Sequence, residues 1–273
     1  MKKPWRLSFA LFNIVLILAA LAWLGSRVFA PSGMHMELTS DLSTVQAGDW
    51  VELRYRILDE NGEVMTDFER EYEKLMHLIV VREDLAYFQH LHPELNKETG
   101  EFSVSLKFPE NGPYSLYSDF TPVYLSQTVV SLQVDIGEED FVPAPLSVSA
   151  LTPFEMDGFS ITPSFPETLT TGKEMSFSFE VEMNGKALAL EDFLGAKGHC
   201  VVLRSETLDY LHTHATEDKL SFSTVFEEPG LYQSFTQFQV DGQVYTLPFA
   251  FEVLGDSVQM EDAIIQDASQ MDH

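Results

Sequence analysis

Met76-His77-Leu78-Ile79-Val80-Val81-Arg82 and Gly198-His199-Cys200-Val201-Val202-Leu203-Arg204 read as two copies of one strand, 122 residues apart. At the same offset Phe88-Gln89-His90-Leu91-His92 matches Tyr210-Leu211-His212-Thr213-His214. Gly112-Pro113-Tyr114 then matches Gly230-Leu231-Tyr232, and Asp119-Phe120 matches Gln237-Phe238, now at an offset of 118. A slip confined to the loop between matched strands is the expected behaviour of a duplicated module, because surface connections tolerate insertions.

The remaining pattern around these stretches is β. Val51-Glu52-Leu53-Arg54-Tyr55-Arg56-Ile57 alternates apolar and polar and runs into the turn signal Asp59-Glu60-Asn61-Gly62. Phe102–Phe108 alternates again and stops at Pro109-Glu110-Asn111-Gly112-Pro113, and Met175–Val181 and Leu220–Val225 follow the same style. Short strands with frequent turns predict an all-β chain of two tandem antiparallel sandwiches, Ig-like or cupredoxin-like. The expected division is an N-terminus and membrane anchor at 1–30, a first module at 31–140, a proline-rich linker at 141–153, a second module at 154–255 and an acidic tail at 256–273. At roughly 100–200 residues per domain, 273 residues accommodate this.

Six of the eight histidines occupy matched places: His77, His90 and His92, then His199, His212 and His214. Residues i and i+2 of a strand share a face, so His90 aligns with His92 and His212 with His214, with Phe88 and Tyr210 one step earlier on that face. A two-residue hairpin loop at Glu83-Asp84, and at Ser205-Glu206 in the second copy, sets His77 across from His90 and His199 across from His212. Such a pair would have Cβ atoms about 4.5–5.5 Å apart. A loop two residues longer keeps the same face. Three neutral imidazoles are a donor set for copper or zinc, with copper the tighter of the two and zinc the second choice. Structural hydrogen bonding is the competing role for strand histidines, and duplication alone would copy them.

Other candidates are weaker. Met76 alternates to the opposite face from His77. Asp119 could serve as a fourth ligand, but its counterpart is Gln237. Cys200 corresponds to Leu78 and reads as a small buried hydrophobe; as the single cysteine it excludes an intrachain disulfide framework. Met34-His35-Met36 and Met271-Asp272-His273 are minor His/Met clusters. No nucleophile–base pattern or phosphate loop appears, so catalysis is not expected.

The formal charge of −27 argues against nucleic-acid binding and favours a surface that attracts cations. Lys2, Lys3 and Arg6 precede an 18-residue apolar run, Leu7–Leu24, with Trp5 and Trp23 at its two ends. This predicts a single-pass helix with a cytoplasmic N-terminus and the body outside. A cleaved signal is the alternative, with Val28-Phe29-Ala30 as its site and Pro31 against it. All 43 acidic residues follow residue 30.

The His strand followed by aromatic-x-His-x-His resembles uncharacterised bacterial envelope proteins with tandem sandwich modules of this kind. His92-Pro93 fits their pattern, His214-Ala215 departs from it, and Tyr117-Ser118-Asp119-Phe120-Thr121-Pro122 is also similar. The resemblance implies an exported sandwich loosely associated with copper or heavy-metal handling, with the six histidines, and more weakly Asp119, as its site. The expected function is a membrane-anchored metal-binding protein for sequestration or delivery, partnered by a metal donor or acceptor protein. The alternative is a non-catalytic adhesion, sensor or assembly module.

Overall fold

The computed structural model describes residues 33–137, 141–215 and 219–255. The predicted anchor, the cleavage site and the tail with Met271-Asp272-His273 lie outside them. Among the described residues every regular element is a strand, and no helix is long and apolar enough to cross a membrane.

The first module places β1 (His35–Leu38), β2 (Trp50–Leu58), β6 (Glu94–Asn96) and β7 (Glu101–Lys107) in one sheet, ordered β1-β2-β7-β6. Its second sheet contains β3 (Phe68–Glu69), β4 (His77–Arg82), β5 (Phe88–Leu91), β8 (Gly112–Pro122) and β9 (Thr128–Ile136). Here β8 is central, paired with β4 on one side and β9 on the other, and β5 extends β4. The second module repeats the plan. One sheet holds β10 (Phe154–Met156), β11 (Phe159–Ser164), β13 (Glu174–Met183), β14 (Lys186–Ala187) and β17 (Leu220–Val225). The other runs β12-β19-β18-β15-β16, from β12 (Leu169–Thr170), β15 (His199–Arg204), β16 (Tyr210–His214), β18 (Gly230–Val240) and β19 (Gln243–Leu254).

Alternation fills each sandwich. In β2, Leu53, Tyr55 and Ile57 are fully buried against Leu78, Val80, Phe102 and Leu116. In the second module Phe177, Phe222, Phe238 and Phe249 play the same part around Cys200 and Val202. Cys200 is therefore a core residue; burial pushes its thiol up to about 12, and Thr236 donates to its sulfur at 3.4 Å.

The strands His77–Arg82 and His199–Arg204 do not alternate, because they are covered on both faces. Leu78 and Val80 face their own core, while Ile79 and Val81 join a third apolar cluster with Leu85, Tyr117, Val201, Leu203, Tyr210 and Phe235. That cluster is the contact between the modules, sheet against sheet. Phe88 stacks on Phe235 (4.4 Å between centroids) and Tyr210 stacks on Tyr117 (4.9 Å), which are counterparts under the duplication. The Tyr117 hydroxyl donates to the Leu208 carbonyl at 2.7 Å. The linker lies along this contact: Leu146 packs into the cluster, Ala144 N–H donates to Asp84, and Ser149 N–H donates to the Ala250 carbonyl.

The hairpin register differs from the expected one by two residues. Ile79 pairs with His90 and Val201 with His212, while His199 faces His214. The loop is four residues long, closed by Arg82 N–H to the Tyr87 carbonyl and Arg204 N–H to the Asp209 carbonyl. It contains a left-handed leucine in each copy, Leu85 at φ 59° and Leu208 at φ 56°. The two-residue slip preserves the face, so the histidines still converge.

Candidate metal centre

Each histidine sits where the duplication and the pleat place it. His77 and His199 open β4 and β15 and are almost fully buried, as is His212. His90, His92 and His214 are half-buried. One nitrogen from each of His77, His90 and His92 lies within 4.8 Å of the others, and the same holds for His199, His212 and His214. A tetrahedral ion with bonds of 2.0–2.1 Å would hold two nitrogens about 3.3 Å apart, a spacing within reach of small ring rotations.

The sandwich-to-sandwich contact brings the two trios together. His77 lies 5.8 Å from His212 and His90 lies 6.1 Å from His199, between ring centroids. Within each trio the rings are 4.5–6.0 Å apart. The result is one six-histidine cluster at the module boundary. A cavity of about 10 Å³ lined by Glu71, Tyr72, His77, Asp119, His212 and His214 lies against it, room for about one water-sized occupant. Next to it an open cleft of about 1600 Å³ carries the carboxylates of Asp59, Glu60, Glu63, Asp67 and Glu71 and reaches Asp119 and His212. A cleft of that sign raises the local concentration of cations.

The outward nitrogens are anchored by the protein. His77 Nε2 donates to the Glu71 carbonyl (3.1 Å) and His199 Nε2 to the Phe193 carbonyl (2.9 Å). Both carbonyls belong to matched tight turns, 71–74 and 193–196. The central histidines are anchored across the boundary. His90 Nδ1 donates to Gln237 Oε1 at 2.8 Å, and His212 Nδ1 donates to Asp119 Oδ2 at 2.8 Å. Asp119 also accepts from Gln127 (2.7 Å) and from the Tyr210 hydroxyl (3.3 Å). Asp119 is thus not assembled as a ligand of its own module's trio, but as the partner of a histidine in the other.

As the partners are oriented, these bonds set the tautomers, because a carbonyl oxygen only accepts. Gln237 presents its oxygen to His90 and its amide nitrogen to the Thr246 hydroxyl at 3.1 Å. With protons on His77 Nε2 and His90 Nδ1, the two facing nitrogens, His77 Nδ1 and His90 Nε2, are both lone-pair atoms, 2.9 Å apart. Two lone pairs at that distance repel unless a proton or a metal ion lies between them. Burial opposes the proton. It lowers His77, drives His90 well below the ordinary imidazole range and takes His92 to about 3, with neighbouring imidazoles adding to the shift. Burial also takes His199 to about 3. Among the described residues, His92 Nε2 and His199 Nδ1 are buried nitrogens with no hydrogen-bond partner.

Asp119 behaves differently. Burial alone would raise its pKa, but the hydrogen bond and charge of His212, with help from Gln127, hold the carboxyl below its usual range.

The structure also adds residues that sequence reasoning did not single out. Tyr72, at φ 44° in the first tight turn, reaches the other module and stacks on His214 at 3.6 Å, edge-on to His199. Its counterpart by offset is Leu194. Met34-His35-Met36 is not gathered into a donor group: Met36 is buried in the first core, and exposed His35 is on β1 with Nδ1 3.4 Å from the Gly33 carbonyl.

The chain resembles several solved structures at low identity. It resembles Salmonella alpha-2-macroglobulin reacted with methylamine (13% identity, TM-score 0.29), covering 83% of this chain and 15% of that one. It also resembles a tetra-tandem repeat from the extending region of a large adhesion protein (8%, 0.27, 81% and 48%) and the Escherichia coli adhesin FdeC (12%, 0.26, 83% and 65%). The chain spans less than two thirds of each of these proteins, and at such scores the likeness carries no functional argument. No curated protein matches. A family profile matches twice, over residues 30–137 and 154–255, together well over half of the sequence. The chain belongs to the family defined by that domain of unknown function, DUF8832.

Proposed function

We propose that this is a membrane-anchored, extracytoplasmic metal-binding protein that holds two ions in its six-histidine cluster, for sequestration or delivery rather than catalysis. The observation that carries the reading is the pair of facing lone-pair nitrogens, His77 Nδ1 and His90 Nε2, at 2.9 Å in a site where burial opposes protonation. Anchoring of the opposite ring nitrogens is how metal-ligating histidines are usually held. Copper is the preferred ion and zinc the second choice, since imidazole suits both and copper forms the tighter complexes. The acidic cleft supports cation capture, and exchange with a donor or acceptor protein would supply and remove the ion. The membrane location rests on Leu7–Leu24 and its basic flank.

The test is titration of the full-length protein with copper and with zinc. Two equivalents are expected, with both lost in the double variant His90→Ala, His212→Ala. Unchanged stoichiometric binding in that variant would remove the proposal. A second reading, an adhesion, sensor or assembly module with structural histidines, draws on the four anchoring hydrogen bonds. Under it, neither ion binds stoichiometrically or raises the melting temperature.

A further inference from the structure

Each module supplies the outer partner of the other's central histidine. Asp119 lies beside His77 on β8, and its structural counterpart Gln237 lies beside His199 on β18. Neither turns to its own module's middle histidine; Asp119 reaches His212 and Gln237 reaches His90, each at 2.8 Å. The arrangement is symmetric in position and unsymmetric in charge. A carboxylate accepting from the Nδ1–H of a ligating imidazole makes Nε2 a stronger donor and balances the charge of the ion beyond it. A neutral amide does much less of either. The second trio is also the better covered, with Tyr72 stacked on His214 and Phe193 edge-on to His199 at 5.4 Å.

Taking the metal reading above as its basis, we infer that Asp119 and Gln237 are positioning residues that make the two sites unequal. The His199/His212/His214 site, backed by the carboxylate, fills first and holds its ion tightly. The His77/His90/His92 site, backed by the amide, fills second and is the exchangeable one. Because the tuning residue comes from the opposite module, the order of filling depends on the two sandwiches being docked.

The experiment is a zinc competition titration of the full-length protein against a chromophoric chelator, with cobalt(II) absorption spectra as a second readout. His92→Ala isolates the second site and His214→Ala the first. The isolated second site should bind about tenfold more tightly or better, the scale on which outer-partner changes act. Asp119→Asn keeps an acceptor for His212 and should remove most of that difference. Gln237→Glu should strengthen the first site by a similar factor, a gain that a merely structural role would not produce. Each substitution should also shift the cobalt spectrum of the site it backs, and leave the other unchanged. Equal affinities in the two isolated sites, a tighter first site, or Asp119→Asn without effect would overturn the inference while leaving metal binding in place. Absence of any binding in the unmodified protein would instead remove the metal reading, and this inference with it.

Discussion

The two modules can be compared almost residue for residue. In packing they agree: Phe88 on Phe235 repeats as Tyr210 on Tyr117, the tight turn 71–74 repeats as 193–196, and each hairpin loop holds a left-handed leucine, Leu85 in the first and, one position further along, Leu208 in the second. In chemistry they part. One central histidine is backed by a carboxylate and the other by an amide, and Tyr72 answers to Leu194. The backbone plan therefore sets where six imidazoles meet, and two or three side chains outside the trios decide what each trio can do. The six histidines match in both copies, and the differences lie around them.

The largest expected effects probe the agreement. Phe235→Ala and Tyr117→Ala each strip an aromatic stack from the module boundary and should each cost about 3–5 kcal/mol in urea unfolding. A cost near zero for either would mean that the boundary does not hold the sandwiches together.

Metal tests the disagreement. At equal free zinc well above both dissociation constants, a site ten times tighter stabilises the protein by about 1.4 kcal/mol more. His214→Ala should therefore lose more of the zinc-induced rise in Tm than His92→Ala. Equal losses would place the two sites level.

Acid probes a property common to both modules. His92 and His199 are held at about 3 by burial, against 6.5 for an ordinary imidazole, so unfolding takes up protons between those values. The metal-free protein should keep the associated stability above about pH 6.5 and lose it as the pH falls toward 3. Urea midpoints at pH 7, 5.5 and 4.5 should fall in that order; a flat series would contradict the burial of these rings.

The smallest effect is at the second hairpin loop. Leu208→Gly relieves a left-handed leucine but loses the apolar contact of a partly buried side chain. It should change stability by no more than about 1 kcal/mol in the same unfolding assay.

Much of this was legible in the sequence. The 122-residue offset revealed the duplication, alternation revealed the sandwich strands, and the His-x-His spacing revealed a shared face. The register was not, because the four-residue loop turns at a leucine, a residue that carries no turn signal, and its closure depends on the packing of Leu85 and Leu208 into the boundary. The docking of the modules was written in the unalternating run His77–Arg82, which has no solvent face to spare, although which surface would cover it was not. Asp119 looked weak because its counterpart is a glutamine. That comparison misleads when each residue serves the other copy, a relationship visible only once the two sheets face each other. Tyr72 acts through a turn whose φ of 44° is unusual for a tyrosine, and no local pattern announces it.

X-ray absorption of the zinc-loaded full-length protein tests the central claim most directly. If the facing nitrogens share an ion, each zinc should show about three imidazole nitrogens at 2.0–2.1 Å, with the multiple-scattering signature of histidine rings. A first shell made only of oxygen, or no zinc retained at stoichiometric level, would contradict it.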